Sequence, residues 1–295
     1  MGSSDKELSV CVIIPHYNDA GMTRHCISSL LGLNWDGISH KFIIVDNASG
    51  DGSGRVLKDT YADDPVTDVI LLNDNEGYAR GSNFGISHAV SKYDPDLIIV
   101  SNSDITVNDP DMPLKLRDIY EKTSFDIYGP DIFSTYRNAH MSPLRKSHLS
   151  TEESNSLIKR CRRRLRLLKI LDKLKLYEPL RKIRRSAPYP DVPGFDRYAE
   201  NVVIQGSFFV LSRGYLNAYP DGLYPGTFLY LEEDILNLRA ERKGLKTVYD
   251  PSIRVDHSEG TAALQASGSR IKKYMFELEH TIESCRIFLT HYDSL

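Results

Sequence analysis

Four short runs of apolar, largely β-branched residues punctuate the first hundred positions: Ser9–Ile14, Lys41–Val45, Asp68–Leu72 and Leu97–Val100. Runs of this length without polar alternation predict strands covered on both faces, as in a parallel sheet. The stretches between them have a helical period. Met22–Leu33 places Cys26, Leu30 and Leu33 on one face, and Gly54–Tyr61 and Gly81–Val90 are shorter candidates. Strand and helix in alternation predict a doubly wound α/β sheet, whose ligands bind beyond the carboxyl ends of the strands.

From about Thr135 to Pro193 the pattern changes. Ile158, Cys161, Leu165, Leu168 and Leu171 recur every three or four residues among Arg and Lys, which predicts a basic amphipathic helix broken near Pro179. Sheet-like text resumes at Val202–Leu211. A helix is expected over Glu233–Lys243, a strand over Lys246–Tyr249 and a last helix over Ile271–His291. This divides the chain into an α/β half (1–134), a basic helical insert (135–193), a second half of the same domain (194–260) and a C-terminal helix (261–295).

The 295 residues are 41% hydrophobic and 26% charged, as in a soluble globular protein. No apolar run reaches the 18 residues a membrane span needs, and Met1–Leu8 is polar with no signal-peptide core, so a cytoplasmic protein is expected. Cys11, Cys26, Cys161 and Cys285 lie far apart, which predicts reduced thiols rather than a metal or disulfide framework. The net charge of −3 hides an asymmetry. Lys159–Arg185 holds thirteen Lys/Arg against Asp172 and Glu178, a local +11, which leaves the rest at −14. Such a segment calls for an anionic partner.

The candidate chemistry lies in the loops after the expected strands. Asp46, followed by Asn47, Ser49 and Gly50, can accept hydrogen bonds from a base or ribose edge; the plainer alternative is a turn. In Asn75–Gly85 (N-E-G-Y-A-R-G-S-N-F-G) three glycines allow close backbone approach at a helix start, and Arg80 can pair with a phosphate. The spacing is not the G-x-G-x-x-G dinucleotide fingerprint. Asp104 in Asn102-Ser103-Asp104 can hold a hard divalent cation, and His257 can complete such a site, although each alone also reads as a turn or structural residue. In Tyr230–Asp234 (Y-L-E-E-D), one of three successive carboxylates can act as a general base; favourable charge at a helix N-terminus is the other reading.

Taken in order, V-I-I-P-H-Y-N, I-V-D-N-A-S-G-D-G-S, N-E-G-Y-A-R-G-S-N-F-G, S-N-S-D-I, Q-G-S-F-F-V-L-S-R and F-L-Y-L-E-E-D-I-L-N-L-R-A-E-R-K-G resemble the signatures of the inverting glycosyltransferases of family 2. The flavour is that of the rhamnosyltransferase-like and galactofuranosyltransferase-like enzymes of bacterial surface polysaccharides. The resemblance implies a GT-A α/β fold and a UDP- or dTDP-sugar donor. It places Pro15, Tyr17, Asn18, Asp46, Asn75, Gly77, Arg80, Asn83 and Ser103 around the nucleotide. Asp104 and His257 would face Mg²⁺ or Mn²⁺, with Asn102 where the first Asp of D-x-D commonly stands. Glu233 matches the base position, with Asp234 the alternative, and Gln205, Gly206 and Glu232 would line the acceptor, a glycan or lipid-linked saccharide. A lipid-linked acceptor suits a peripheral enzyme on the inner face of the cell membrane, held by residues 158–185 with Leu165 and Leu168 in an anionic surface and Arg162–Arg164 at its headgroups. A helical lid or an oligomer contact stays open. Nucleic acid fits poorly, because no aromatic residue interleaves the arginines. The rival readings are a catalytically lapsed nucleotide-sugar-binding module and a scaffold.

Overall fold

The computed structural model describes residues 7–177, 189–259 and 269–295. In chain order the elements are β1 (Leu8–His16), α1 (Ala20–Leu31), β2 (Ile38–Asp46), α2 (Ser53–Thr60), β3 (Thr67–Leu71), α3 (Gly77–Tyr93), β4 (Leu97–Ser101), β5 (Ile105–Thr106), α4 (Met112–Thr123), β6 (Ile127–Ser134), β7 (Ala139–His140) and α5 (Thr151–Lys173). They continue with β8 (Ala199–Glu200), β9 (Phe208–Ser212), α6 (Arg213–Ala218), α7 (Glu232–Lys243), β10 (Thr247–His257) and α8 (Arg270–His291).

One mixed sheet in the order β3-β2-β1-β4-β9-β6-β10-β5 organises the fold, with β7 added on β6 and β8 on β10. The β3-β2-β1-β4 half is parallel, and β9 enters antiparallel to both β4 and β6. Each apolar run became a strand because both of its faces are covered. Val12, Ile14, Phe42 and Ile44 pack under α1, α2 and α4, whereas Ile13, Ile43 and Val45 pack under α3. The strands therefore end their parallel register together, with His16 opposite Asp46, so the loops after β1 and β2 leave from one edge.

A third core joins α5, α7 and α8 through Ile158, Cys161, Ile235, Leu238, Ile282, Cys285 and Phe288. This corrects the expectation that the stripe containing Leu165 and Leu168 meets lipid: Leu168 is buried inside the protein and Leu165 packs on the same cluster. The expected period was that of a core contact, supplied by α8 from the far end of the chain. The break expected at Pro179 lies outside the described residues, as do Met1–Lys6 and residues 260–268. All four cysteines are free and buried. Among the described residues no helix is long and apolar enough to cross a membrane.

Candidate active site

The site is built from the edge where β1, β2, β4 and β10 end. The loop after β1 carries two successive left-handed residues, Asn18 (φ 59°) and Asp19 (φ 61°), and the Asn18 amide donates to Ser49 Oγ at 2.7 Å. The Ser49 hydroxyl in turn donates to Asp46 Oδ1 at 2.5 Å. Asp46 is buried at the end of β2, directly over Gly54: a Cβ there would lie 2.0 Å from Asp46 Oδ2, so only glycine leaves room for the carboxylate. Beneath it His16 is fully buried, bonded to Thr23 Oγ1 (2.6 Å) and Ser53 Oγ (2.8 Å), and burial pulls its pKa down.

Asn47 ties this loop to the start of α3. Its Nδ2 donates to Gly77 O and its Oδ1 accepts from Glu76 N, both at 2.8 Å, while Asn75 Oδ1 accepts from Gly77 N. Gly77 is required twice over: its φ is +78°, and a Cβ would fall 2.3 Å from Phe228 O. The motif residues farther along α3 point to other work. Arg80 is exposed and paired with Glu76 at 2.9 Å. Asn83 spends its amide on the backbone of Leu223, donating at 2.7 Å and accepting at 2.8 Å, which fixes the 222–223 turn.

Tyr78 connects the two halves of the site. Its hydroxyl donates to Gly206 O at 2.8 Å, and the Gly206 amide donates to Glu233 Oε1 at 3.2 Å. Burial above all, and then the carboxylates of Glu232, Glu233 and Asp104, raise the Tyr78 pKa well above its usual value. Gln205 is folded into its own turn, with Oε1 accepting from Ser207 N at 2.6 Å; Ser207 O accepts from Asn102 N at 2.7 Å. The Asn102–Asp104 turn is thereby fastened to the Gln205–Ser207 segment, and Ser103 stands in that turn, half-buried.

Asp104 and His257 meet as the sequence suggests. Antiparallel pairing of β5 with β10 sets His257 opposite Ile105, and His257 Nε2 lies 3.1 Å from Asp104 Oδ1. His257 Nδ1 is buried without a hydrogen-bond partner. The two side chains supply one hard oxygen and one imidazole nitrogen. Among the described residues no group of three or more His, Cys, Asp or Glu could hold a metal alone. The pair therefore fits a divalent cation that brings its remaining ligands with it, such as diphosphate and water oxygens.

The acid triplet opens α7 after two successive left-handed residues, Tyr230 (φ 72°) and Leu231 (φ 69°), a strained entry that turns the first helical turn toward Gly206. The three acids have different surroundings. Burial, and then Glu233, push Glu232 up to about 8, and Glu232 Oε1 is sealed off without a partner. Glu233 is raised by burial, with the neighbouring Asp234 adding to the effect. Asp234, 2% exposed, receives Arg145 Nε at 3.2 Å and the Leu149 amide at 2.8 Å on Oδ1, and Arg145 Nη2 on Oδ2.

Sequence reasoning missed Tyr78, Asn47, His16 and Arg145. Tyr78 and Asn47 lay inside recognised motifs, and their polarity in a glycine-rich loop was the available signal. Arg145 has no local signal, since its partner is 89 residues away.

The sequence profile of Glycosyl transferase family 2 matches residues 11–189, well over half of the chain, and the protein belongs to that family. Over 106 residues it is 33% identical to an N-acetylglucosaminyltransferase of Rhizobium sp. (strain N33), a match covering 35% of this chain and 22% of that protein. Two solved structures share the fold. S. aureus TarS in complex with UDP superposes with a TM-score of 0.55 at 10% identity, covering 94% of this chain and 65% of that one. The mannosyltransferase PcManGT from Pyrobaculum calidifontis, in complex with GDP-Man and Mn²⁺, superposes with a TM-score of 0.53 at 12% identity, covering 95% and 69%. The fold is the GT-A α/β arrangement expected from the sequence.

Proposed function

We propose that the protein transfers a sugar from a nucleotide-diphospho-sugar, UDP- or dTDP-linked, to a hydroxyl of a glycan or lipid-linked saccharide, with inversion at the anomeric carbon. The supporting observation is the run of hydrogen bonds that joins the strand-end loops to α7: Tyr78 donates to Gly206 O, the Gly206 amide donates to Glu233 Oε1, and Asn102 N, in the turn that carries Asp104, donates to Ser207 O. A donor spanning from Asp46 to Asp104 would leave its anomeric carbon in front of Glu233.

In this reading Asp46, together with the loops of Pro15, Tyr17 and Asn18, receives the base and ribose. The turn that opens α3, at Asn75 and Gly77, borders the diphosphate, where the N-terminal end of the helix dipole favours negative charge. A divalent cation, Mg²⁺ or Mn²⁺, offsets charge on the departing diphosphate when bound, and Asp104 and His257 are the residues to hold it. Glu233 accepts the proton of the acceptor hydroxyl as that oxygen attacks in line. Its raised pKa brings a carboxylate closer to the basicity this task needs. The Gly206 amide fixes Glu233 Oε1, leaving its other oxygen for the acceptor. Glu232 and Gln205 border the acceptor side.

Within the family we favour a rhamnosyltransferase-like or galactofuranosyltransferase-like role in surface polysaccharide synthesis, on the cytoplasmic side of a membrane. The test is a panel of UDP-, dTDP- and GDP-sugars with Mn²⁺ or Mg²⁺, read by thermal shift and donor hydrolysis, with the product anomer assigned by NMR. Absence of stabilisation by every donor defeats the proposal. Binding without transfer to any acceptor supports the second reading, a lapsed nucleotide-sugar-binding module, which Asn102 at the first position of the metal turn favours.

A further inference from the structure

Helix α5 carries two apolar stripes, and only one of them is used. Ile158, Cys161 and Leu168 are each 6% exposed, and Ile158 and Cys161 share one core cluster with residues of α7 and α8. Leu167 and Ile170, with the C-cap residue Leu174, are 54%, 56% and 57% exposed. Their spacing sets them along one line. Ile170 follows Cys161 by nine residues, about 180° around the helix at 3.6 residues per turn, so this line is on the side opposite the core.

Lys159, Arg160, Arg163, Arg166 and Lys173 are exposed and border the outer line. Among the described residues these five make no ion pair, whereas Lys169, nearer α8, pairs with Glu279 at 2.9 Å. Over residues 159–177 nine Lys/Arg stand against Asp172 alone. At the end of the helix Tyr177 and the exposed Tyr274 of α8 have ring centroids 6.5 Å apart, the kind of amphipathic aromatic that favours a membrane–water interface.

We propose that this outer face of α5 docks on an anionic phospholipid surface, with Leu167, Ile170 and Leu174 in the interfacial layer and the flanking guanidinium and ammonium groups at the headgroups. Long cationic chains bordering isolated aliphatics on a convex rod offer no groove for a protein side chain, but they match a deformable charged plane. The charge distribution also orients the molecule. The rest of the chain, at −14 outside Lys159–Arg185, is repelled by the same surface, so α5 lies beneath the body. Ile235 and Leu238 of α7 share a core cluster with Ile158 and Cys161 of α5, so the helix that opens with Glu232 and Glu233 is tied through that core to the docking helix. The choice of a lipid-linked acceptor rests on the transferase reading; the docking does not.

The test is co-sedimentation of the full chain with phosphatidylcholine vesicles, with and without phosphatidylglycerol, comparing wild type, L167Q/I170Q/L174Q and R160Q/R163Q/R166Q. The expected result is binding only to the anionic vesicles, release by high salt, and a loss of about tenfold or more for each triple variant. Circular dichroism and thermal unfolding should match wild type, since these side chains are outside the core. Binding that is absent, indifferent to lipid charge or unaffected by the triple variants overturns the proposal. So does a dimer on size exclusion that the leucine variants dissolve in the absence of lipid, because the face is then a contact between copies. Donor hydrolysis measured without vesicles separates a failure of docking from a failure of the transferase reading.

Discussion

Arg145 and Asp234, 89 residues apart, face each other fork to carboxylate, with Arg145 Nε 3.2 Å from Asp234 Oδ1 and Nη2 on Oδ2. The Leu149 amide adds a third donor at 2.8 Å. Asp234 is thereby committed to holding residues 145–149 against α7, with both of its oxygens already occupied by protein donors. Glu233, one residue earlier, accepts one backbone amide from Gly206 and is raised in pKa by burial. The position in the acid triplet that sequence reasoning left open is thus differentiated by what each carboxylate touches.

Substituting the two acids should separate their roles. Glu233→Gln is expected to lower kcat by about 10²–10⁴-fold with an unchanged thermal midpoint, as loss of a general base does. Asp234→Asn should destabilise the fold by about 1–3 kcal/mol, reduced from the figure for a fully buried pair because the Arg145 side chain is 37% exposed. Its kcat per folded molecule should fall far less. Denaturant titration beside steady-state kinetics checks both, and a larger kcat loss in Asp234→Asn would reverse the assignment.

A pH dependence follows from the raised carboxyls. Burial and Glu233 push Glu232 up to about 8, above its ordinary value of 4.5, so the folded protein holds a proton the unfolded chain has released. The associated stability is complete below pH 4.5 and is lost as pH rises toward 8. Glu232→Gln should flatten that slope in unfolding measured across pH. If Glu233 must be ionised to act, the same variant should leave the acidic limb of kcat in place, because Glu232 is still protonated and uncharged where Glu233 first ionises. A limb that moves to lower pH would mean that Glu232 already carries charge there.

The parallel half of the sheet was legible because its strands are buried on both faces and so read as unbroken apolar runs. Strand β6, Ile127–Ser134, was not, since Gly129 and Pro130 interrupt it like a turn. Nor could periodicity foresee β9 entering antiparallel between β4 and β6. At the site, the pairing of Asp104 with His257 could be anticipated from motif order, while the hydrogen bonds of Asn83 to Leu223 could not. For α5 the sequence pattern identified the inner stripe correctly as apolar, but a helical period alone does not say whether protein or lipid covers it. That depended on α8, more than a hundred residues later.

Gly54→Ala tests whether the position of Asp46 matters for donor binding. A Cβ at residue 54 would lie 2.0 Å from Asp46 Oδ2 and 2.2 Å from Cγ, so the carboxylate must move, taking the Ser49 contact with it. Residue 54 has ordinary backbone angles, and the damage should concentrate on Asp46 rather than on the fold. The expected outcome is a rise of about 10- to 100-fold in donor KM with kcat much less affected. Gly52→Ala is the contrast: its φ is +80° with nothing within 4 Å of a new Cβ, so it should cost stability and leave KM near wild type. Equal KM values for the two variants would mean that Asp46 does not read the nucleotide.

Without donor, Asp104 and His257 already interact at 3.1 Å, and His257 Nδ1 is buried and unpartnered. A cation entering here must replace that contact and gains only two protein ligands, too few for a hard divalent ion that prefers about six oxygens. Affinity for Mn²⁺ alone should therefore be weak, and a nucleoside diphosphate, by contributing phosphate oxygens, should tighten it. By linkage the metal must tighten the nucleotide by the same factor. Calorimetric titration of Mn²⁺ with and without UDP or dTDP, and the reverse titration, measures both sides. Asp104→Asn should abolish the coupling, whereas His257→Ala should weaken it and leave part of the UDP affinity. Tight Mn²⁺ binding in the absence of nucleotide, or nucleotide affinity indifferent to chelator, would show that Asp104 and His257 are a structural pair and that the diphosphate lies elsewhere.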